Sequence, residues 1–320
     1  MQVNPIVSIV MSVYNAEKHL SLAIESILNQ SFSNFELIII EDCSTDESLS
    51  IIKKYQAKDS RVFVIKKDKN KGFKGFVENL NLGIETARGI YIARMDADDI
   101  SNIDRLKNQV EYLDNHPECF LVGSSAVHID ENGEKIGAFL SETNDKKLMN
   151  LLKKRNTIYH PTIMFRKELG LHYRDKMNGC EDYDFYLRLL SKDKIFHNLG
   201  EPLLQYRILD NSISRKDNYF VKWMFVEKAK EFYYQRKSTG KDLYHQFDEQ
   251  ELKQFFEIEN PSSENIILGL KTAISLQDID YLKQLSHKFS TLYPSHKESK
   301  KYALFSKFPI FILKIINKIS

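Results

Sequence analysis

The sequence predicts an α/β protein, with a mostly parallel central sheet flanked by helices and a helical C-terminal region. Three observations carry this. Short apolar runs alternate with amphipathic segments through the first half of the 320 residues. Those runs are continuous in Val, Ile and Leu rather than alternating with polar residues, as strands covered on both faces require. Beyond about residue 216 the strand pattern stops and only helical spacing remains.

Residues 7–14 read as the first strand, followed by a helix with Leu20, Ala23, Ile24, Ile27 and Leu28 on one face. A second strand over 35–40 ends in Glu41-Asp42, and Ser44-x-x-Glu47 reads as a capping box for the next helix. Residues 62–65 give a third strand, 76–87 a helix and 90–95 a fourth strand that delivers Asp96. A helix over 102–114, a strand over 120–123 and a hairpin at Asn132-Gly133 follow. Further strands are expected at 161–165 and 203–208, with a helix at 181–190 between them. Helices over 222–235, 266–275 and 279–289 complete the chain, so the domain boundary is expected at 215/216.

Composition narrows the function. Lys and Arg number 46 against 44 Asp and Glu, which leaves no global field to attract nucleic acid. The three cysteines form no CxxC pair, and with no basic, apolar leader at the start they point to the reducing, cytoplasmic side.

In open α/β sheets ligands collect at the carboxyl ends of the strands. Strand one there offers Ser12, Tyr14, Asn15 and Glu17, strand two Asp42 and Ser44, strand four Asp96, Asp98 and Asp99. An aromatic ring beside amide and carboxylate groups suits a nucleobase and ribose. Each also has a plain structural reading, Tyr14-Asn15 as a helix-start turn and Ser44 as a cap. The acidic run is sharper: three carboxylates in four residues repel one another unless a cation or hydrogen bonds hold them, and their hard oxygens favour Mn or Mg. A metal at that place would stabilise a departing nucleoside diphosphate. The competing reading is a solvated turn in which Asp99 or Asn102 caps the next helix.

Several segments in order then resemble the family 2 glycosyltransferases of GT-A fold. They are 7–15, Ile39-Ile40-Glu41-Asp42-Cys43-Ser44-Thr45-Asp46, Asn70-Lys71-Gly72 with Asn79, Gly83, Ala87, Arg88 and Gly89, and Met95-Asp96-Ala97-Asp98-Asp99 as the DxD motif. The resemblance covers about residues 5–215. It implies an inverting transferase moving a sugar from a nucleotide-diphosphate donor, most simply a UDP-sugar, to a hydroxyl of a glycan or lipid-linked acceptor in surface polysaccharide synthesis. The implied nucleotide-sugar set is Ser12, Tyr14, Asn15, Glu17, Asp42, Ser44, Gly72, Asn79, Arg94 and Asp96, with Asp98 and Asp96 on the metal. Residues 1–115 would form the nucleotide half of the catalytic domain and 116–215 the acceptor half.

Downstream, Gly179-Cys180-Glu181-Asp182-Tyr183-Asp184 resembles the family segment whose Asp is the general base, which makes Asp182 the expected base. Its alternative is an acidic first helical turn. His160-Pro161 and Glu181 are candidates for the acceptor side. The late segment Leu204-Gln205-Tyr206-Arg207-Ile208-Leu209 resembles one that usually carries His where this chain has Leu209. Arg207, Ser214 or Arg215 would have to substitute, or fewer protein ligands would hold the metal. Residues 303–320 mix Phe, Ile and Lys in a run too short to span a bilayer. They would lie peripherally on a membrane or pack on protein. Two competing functions are a sugar-phosphate nucleotidyltransferase, for which the Gly- and Arg-rich loop after strand one is missing, and a non-catalytic nucleotide-sugar-binding module.

Overall fold

A computed structural model describes residues 4–209 and 218–307. Among these, 4–175 and 181–209 form one compact unit, and 176–180 with 218–307 form a second.

The first unit is built on a nine-stranded sheet: β1 (Val7–Val13), β2 (Phe35–Glu41), β3 (Val62–Lys66), β4 (Tyr91–Met95), β5 (Ile100–Ser101), β6 (Cys119–Ile129), β7 (Lys135–Phe139), β8 (Met164–Arg166) and β9 (Ile195–Arg207). The order is β3-β2-β1-β4-β8-β6-β9-β5, with β7 pairing β6 at the side. Strands β3, β2, β1 and β4 are all parallel. The runs of β1, β2 and β4 are buried on both faces, as such strands must be when helices cover the sheet, while the edge strand β3 is only partly covered. Helices α1 (Glu17–Leu28), α2 (Ser48–Lys58) and α3 (Gly72–Thr86) supply the covers, and α1 buries Leu20, Ala23, Ile24 and Ile27. Parallel pairing turns the carboxyl ends of β1, β2 and β4 to one edge, where the segments after Val13, Glu41 and Met95 come together.

Two glycines hold this layer closed. A Cβ on Gly83 of α3 would stand 2.3 Å from Val10 Cγ1, and one on Gly89 2.7 Å from the backbone nitrogen of Ser8. Helix and turn therefore approach β1 more closely than any side chain allows.

Beyond β4 the sheet changes direction. Strand β8 lies antiparallel to β4, β6 antiparallel to β8, and β9 parallel to β6. The two-residue β5 pairs with β9 through Ile100↔Gln205 and Ser101↔Leu204. That short pairing sets the end of β9 beside the acidic run.

Several boundaries depart from the sequence reading. Ser44 does not cap α2: the helix starts at Ser48, whose N–H donates to Asp46 Oδ1 at 2.9 Å, while Ser44 Oγ accepts from the N–H of Asn15 at 3.1 Å. α3 begins four residues earlier than expected, at Gly72. α4 (Arg105–Asn115) starts later than 102 because residues 100–101 are taken into the sheet. Residues 160–162 form a 3-10 turn ahead of β8, consistent with the fixed φ of Pro161. Strands β6 and β9 are longer than expected because they pair with each other from Cys119↔Ile195 to Ile129↔Arg207. α5 (Asp145–Leu152), with its eight residues, was not anticipated; α6 (Glu181–Ser191) was. The Asn132-Gly133 turn joins β6 to β7, with Gly133 at φ +92°.

The second unit is helical: α7 (Tyr219–Thr239), α8 (Glu249–Lys253), α9 (Ser263–Leu276), α10 (Ile279–Leu292) and α11 (Ser299–Phe305). α9 and α10 pack through Gly269, where a Cβ would meet Leu285 Cδ1 at 3.0 Å. None of the described helices is long and apolar enough to cross a membrane. The membrane expectation for 303–320 falls mostly outside the described residues.

Candidate active site

At the end of β4 the side chains of Asp96, Asp98 and Asp99 converge, one carboxylate oxygen of each lying within 4.8 Å of the others. Arg207, the last residue of β9, holds the run in shape. Its N–H donates to Asp99 Oδ1 at 2.8 Å and its Nε to the Asp98 carbonyl oxygen at 2.9 Å. Its Nη1 reaches the carbonyl oxygens of Asp130 and Glu131 at 2.8 and 3.0 Å. The Nε and Nη1 groups of the guanidinium are thus taken up by backbone carbonyls. Arg215 and Ser214 lie outside the described residues.

Asp99 is 1% exposed and its Oδ2 has no hydrogen-bond partner. It caps no helix, since β5 follows it; Asn102 instead accepts the N–H of Asp104 at 3.0 Å. Burial, then the neighbouring Asp96 and Asp98 carboxylates, push its carboxyl well above the usual range. Burial and Asp96 raise Asp98 to about 6. A buried carboxylate oxygen with no donor, among crowded negative charges, is what a divalent cation would relieve, and the donor set is all hard oxygen. The residues fit such an ion. Arg94, buried in β4, forms an ion pair with Asp96 and lies 5.8 Å from the Phe76 ring.

The nucleotide-side candidates divide into two groups. Asp42 is 3% exposed, with Oδ2 accepting from Asn70 Nδ2 at 3.0 Å and Oδ1 without a hydrogen-bond partner. Burial raises its pKa, partly offset by the Asn79 amide. Asn79 Nδ2 donates to Ser12 Oγ at 3.1 Å, so Ser12, Asp42 and Asn79 make one cluster between β1, β2 and α3. Gly72 adopts φ +61°, and its N–H donates to Asn70 Oδ1 at 2.7 Å. Nothing would crowd a Cβ there, so its requirement is the left-handed backbone.

Asn15, Glu17 and Ser44 form the second group and clasp the first loop to the second. Asn15 Oδ1 accepts from Thr45 N–H at 2.8 Å and Glu17 Oε2 from Glu47 N–H at 2.9 Å. Asn15 at φ +47° and Cys43 at φ +61° bend the two loops into contact. Tyr14, half exposed at 49%, is the ring left available beside them.

On the other side, Asp182 stands in the first turn of α6, where Asn156 Nδ2 donates to its Oδ2 at 2.7 Å and the N–H of Tyr183 to its Oδ1 at 2.6 Å. Its neighbour Glu181 is buried, with Oε1 3.9 Å from His160 Nδ1. His160 Nε2 pairs with the hydroxyl of Tyr173 at 2.8 Å. Burial, helped by Arg94, holds the imidazole well below its ordinary pKa and therefore neutral.

Four residues that support the site were not assigned from sequence. Asn70, quoted only as part of a motif, orients Asp42. Arg105, fully buried, donates to the Arg94 carbonyl oxygen at 2.7 Å and braces β4. Asn156 touches Asp182, and Tyr206 is a partly buried ring whose pKa is raised by desolvation and by Asp96, Asp99 and Asp98. Only Asn70 carried a signal, its place before a turn glycine; the other three act through contacts far apart in sequence.

With this geometry in view, comparisons with known proteins agree with one another. The profile described as Glycosyl transferase family 2 matches residues 8–171. An uncharacterized glycosyltransferase of Methanocaldococcus jannaschii is 36% identical over 75% of this chain and 81% of its own. The O-antigen biosynthesis glycosyltransferase WbnJ of Escherichia coli is 37% identical over 67% of this chain and 84% of its own. Among solved structures, S. aureus TarS in complex with UDP-GlcNAc matches with a TM-score of 0.61 at 17% identity, covering 94% of this chain and 88% of that one.

Proposed function

The chain belongs to glycosyl transferase family 2 and has the GT-A fold, and on that footing we propose that it is an inverting, metal-dependent transferase using a UDP-sugar to extend a surface polysaccharide. The observation that carries this reading is the convergence of Asp96, Asp98 and Asp99 at the same sheet edge as Asp42 and Tyr14. A UDP donor agrees with the nucleotide sugar bound to TarS, and the pathway with the O-antigen role of WbnJ.

In this reading Tyr14 stacks on the base, while Asp42 and Asn79 accept and donate hydrogen bonds to its edge and the ribose. Asp98 and Asp96, with Asp99 behind them, would hold Mn or Mg, which when bound neutralises charge on the departing diphosphate. Asp182 accepts the proton of the acceptor hydroxyl as that oxygen bonds to the anomeric carbon. The bond from that carbon to the phosphate oxygen breaks on the opposite face, and the nucleoside diphosphate leaves with its electron pair. Asn156 and the Tyr183 N–H fix the carboxylate's orientation for this step. The fit of a hexosyl or N-acetylhexosaminyl donor belongs to the same proposal.

Asp182→Asn is expected to lower transfer by at least about 100-fold, within the span of general-base effects, while a UDP-sugar with Mn still raises the melting temperature as in the wild type. Retained turnover removes Asp182 as the base. No stabilisation by any nucleoside diphosphate with either metal removes the donor reading.

A further inference from the structure

We propose that the exposed face of α5 is a phosphate-binding shelf for the molecule that receives the sugar. The proposal rests on the transferase reading above and adds the charge of its acceptor.

α5 begins at an Asn144 cap, whose Oδ1 accepts the N–H of Lys147 at 2.9 Å. Leu148 and Leu152 are its buried anchors. Lys146, Lys147 and Asn150 therefore turn outward, and the exposed Lys154 follows in the turn after the helix. With Asn144 and Leu151 they line an open depression of about 340 Å³. The two nearby acids are already engaged: Glu142 with Lys147 at 2.5 Å, and Asp145 with His197 Nδ1 at 2.5 Å. Lys146, Lys154 and Arg155 have no carboxylate partner among the described residues.

The lining identifies the ligand. The floor of the depression is made by aliphatic lysine stems and Leu151, and the ammonium heads of Lys146 and Lys154 at its rim offer donors to a compact, oxygen-rich anion, which would compete with Glu142 for Lys147. A bilayer surface would instead be met by a row of large apolar anchors, and Leu151 is the one apolar side chain in this lining. The shelf is also tied to the proposed base. The hydroxyl of Tyr183 donates to the Leu152 carbonyl oxygen at 2.6 Å, and Asn156, directly after Arg155, donates to Asp182. Lys154 stands two residues before Asn156, which holds Asp182, so in this proposal the molecule whose phosphate rests on the shelf is the one whose hydroxyl is presented to Asp182.

The test uses the full-length chain, isotopically labelled, with chelator present so that the acidic cluster carries no metal. Titrated inorganic pyrophosphate is expected to shift the amide signals of residues 144–156. Replacing Lys146, Lys147 and Lys154 together with Gln should weaken this binding at least tenfold, and the triple Arg variant should bind as the wild type does. Shifts confined to residues near Asp42 and Asp98, or an affinity unchanged in the Gln variant, overturn the proposal. So does lysine-dependent binding to phosphatidylglycerol-containing vesicles without binding to pyrophosphate, which would make the shelf a headgroup contact. Failure of the transferase reading shows separately, as the absence of any UDP-sugar stabilisation with Mn; a pyrophosphate site that survives that result is not an acceptor site.

Discussion

Arg207 illustrates how much of this site is shaped by contacts between protein groups. Its guanidinium grips three carbonyl oxygens, and its N–H grips Asp99. A lysine there would keep the charge and lose the fork that reaches separate loops at once. Arg207→Lys is therefore expected to weaken Mn binding by about 10–100-fold, as loss of an outer partner of a metal ligand does, with the nucleotide base pocket unaffected. Titration calorimetry of Mn in the presence of UDP reads this directly; equal affinity in both proteins would make the contacts incidental. The residues that sequence reading found were those whose chemistry is local. Asp96, Asp98 and Asp99 announce themselves because three acids stand together, and Asp42 because it ends a strand. Arg207 is expected from sequence as a stand-in for a missing ligand, whereas its bond to Asp99, 108 residues away, has no signal in its neighbours.

At the scale of elements, the parallel half of the sheet was legible and the antiparallel half only in outline. Strands β1 to β4 are predominantly apolar runs, broken only by Ser8, Ser12, Glu36 and Arg94 within them, and their boundaries agree with expectation to within a residue or so. β9 was foreseen only at its end, because Asn198, Gly200, Glu201 and Pro202 interrupt its pattern where the pairing with β6 shifts register. β5 could not be seen at all, since two residues have no period. The capping box failed because a second loop competed for the Ser44 hydroxyl and won it. The close contact of α3 with β1 gives a test of the helical layer. Gly83→Ala places a methyl 2.3 Å from Val10 Cγ1, and is expected to cost about 1–3 kcal/mol, the usual range for overpacking. Urea unfolding measures it, and a second change, Val10→Ala, should return part of the loss. If Gly83→Ala alone is neutral, the helix sits further from the strand than described.

For the whole molecule, charge nearly cancels, so its response to pH is set by particular buried groups rather than by net repulsion. His160 is the clearest of these. Burial keeps it neutral in the folded protein, so the folded state binds its proton less readily than the unfolded chain does. The stability that follows is full above pH 6.5, the ordinary imidazole value, and is lost as pH falls below it toward the depressed folded value. His160→Gln is expected to remove its share of this acid limb between pH 7.5 and 5, leaving the smaller contributions of His19 and His128, whose values are also lowered by burial, and the opposing ones of Asp98 and Asp99, whose raised values favour the folded state as pH falls. Melting curves across that range check it, and an unchanged slope would mean that the His160 ring is solvated. The acid limb reports on the interior next to Tyr173 and Glu181.

The grip of Arg207 on the acidic run also bears on the order of events during synthesis. A nascent chain that has emerged as far as β8 already contains Asp96, Asp98 and Asp99, yet the strand that fixes their spacing is still to come. Closing so long a loop is slow compared with forming the neighbouring strands and helices. The sharing of Asp99 and the Asp98 carbonyl with the end of β9 thus defers a complete cation site until the antiparallel half has joined the parallel one. If the acidic run holds a cation as proposed, metal capture would mark a finished sheet, and a partly made chain would hold crowded carboxylates without the frame that spaces them.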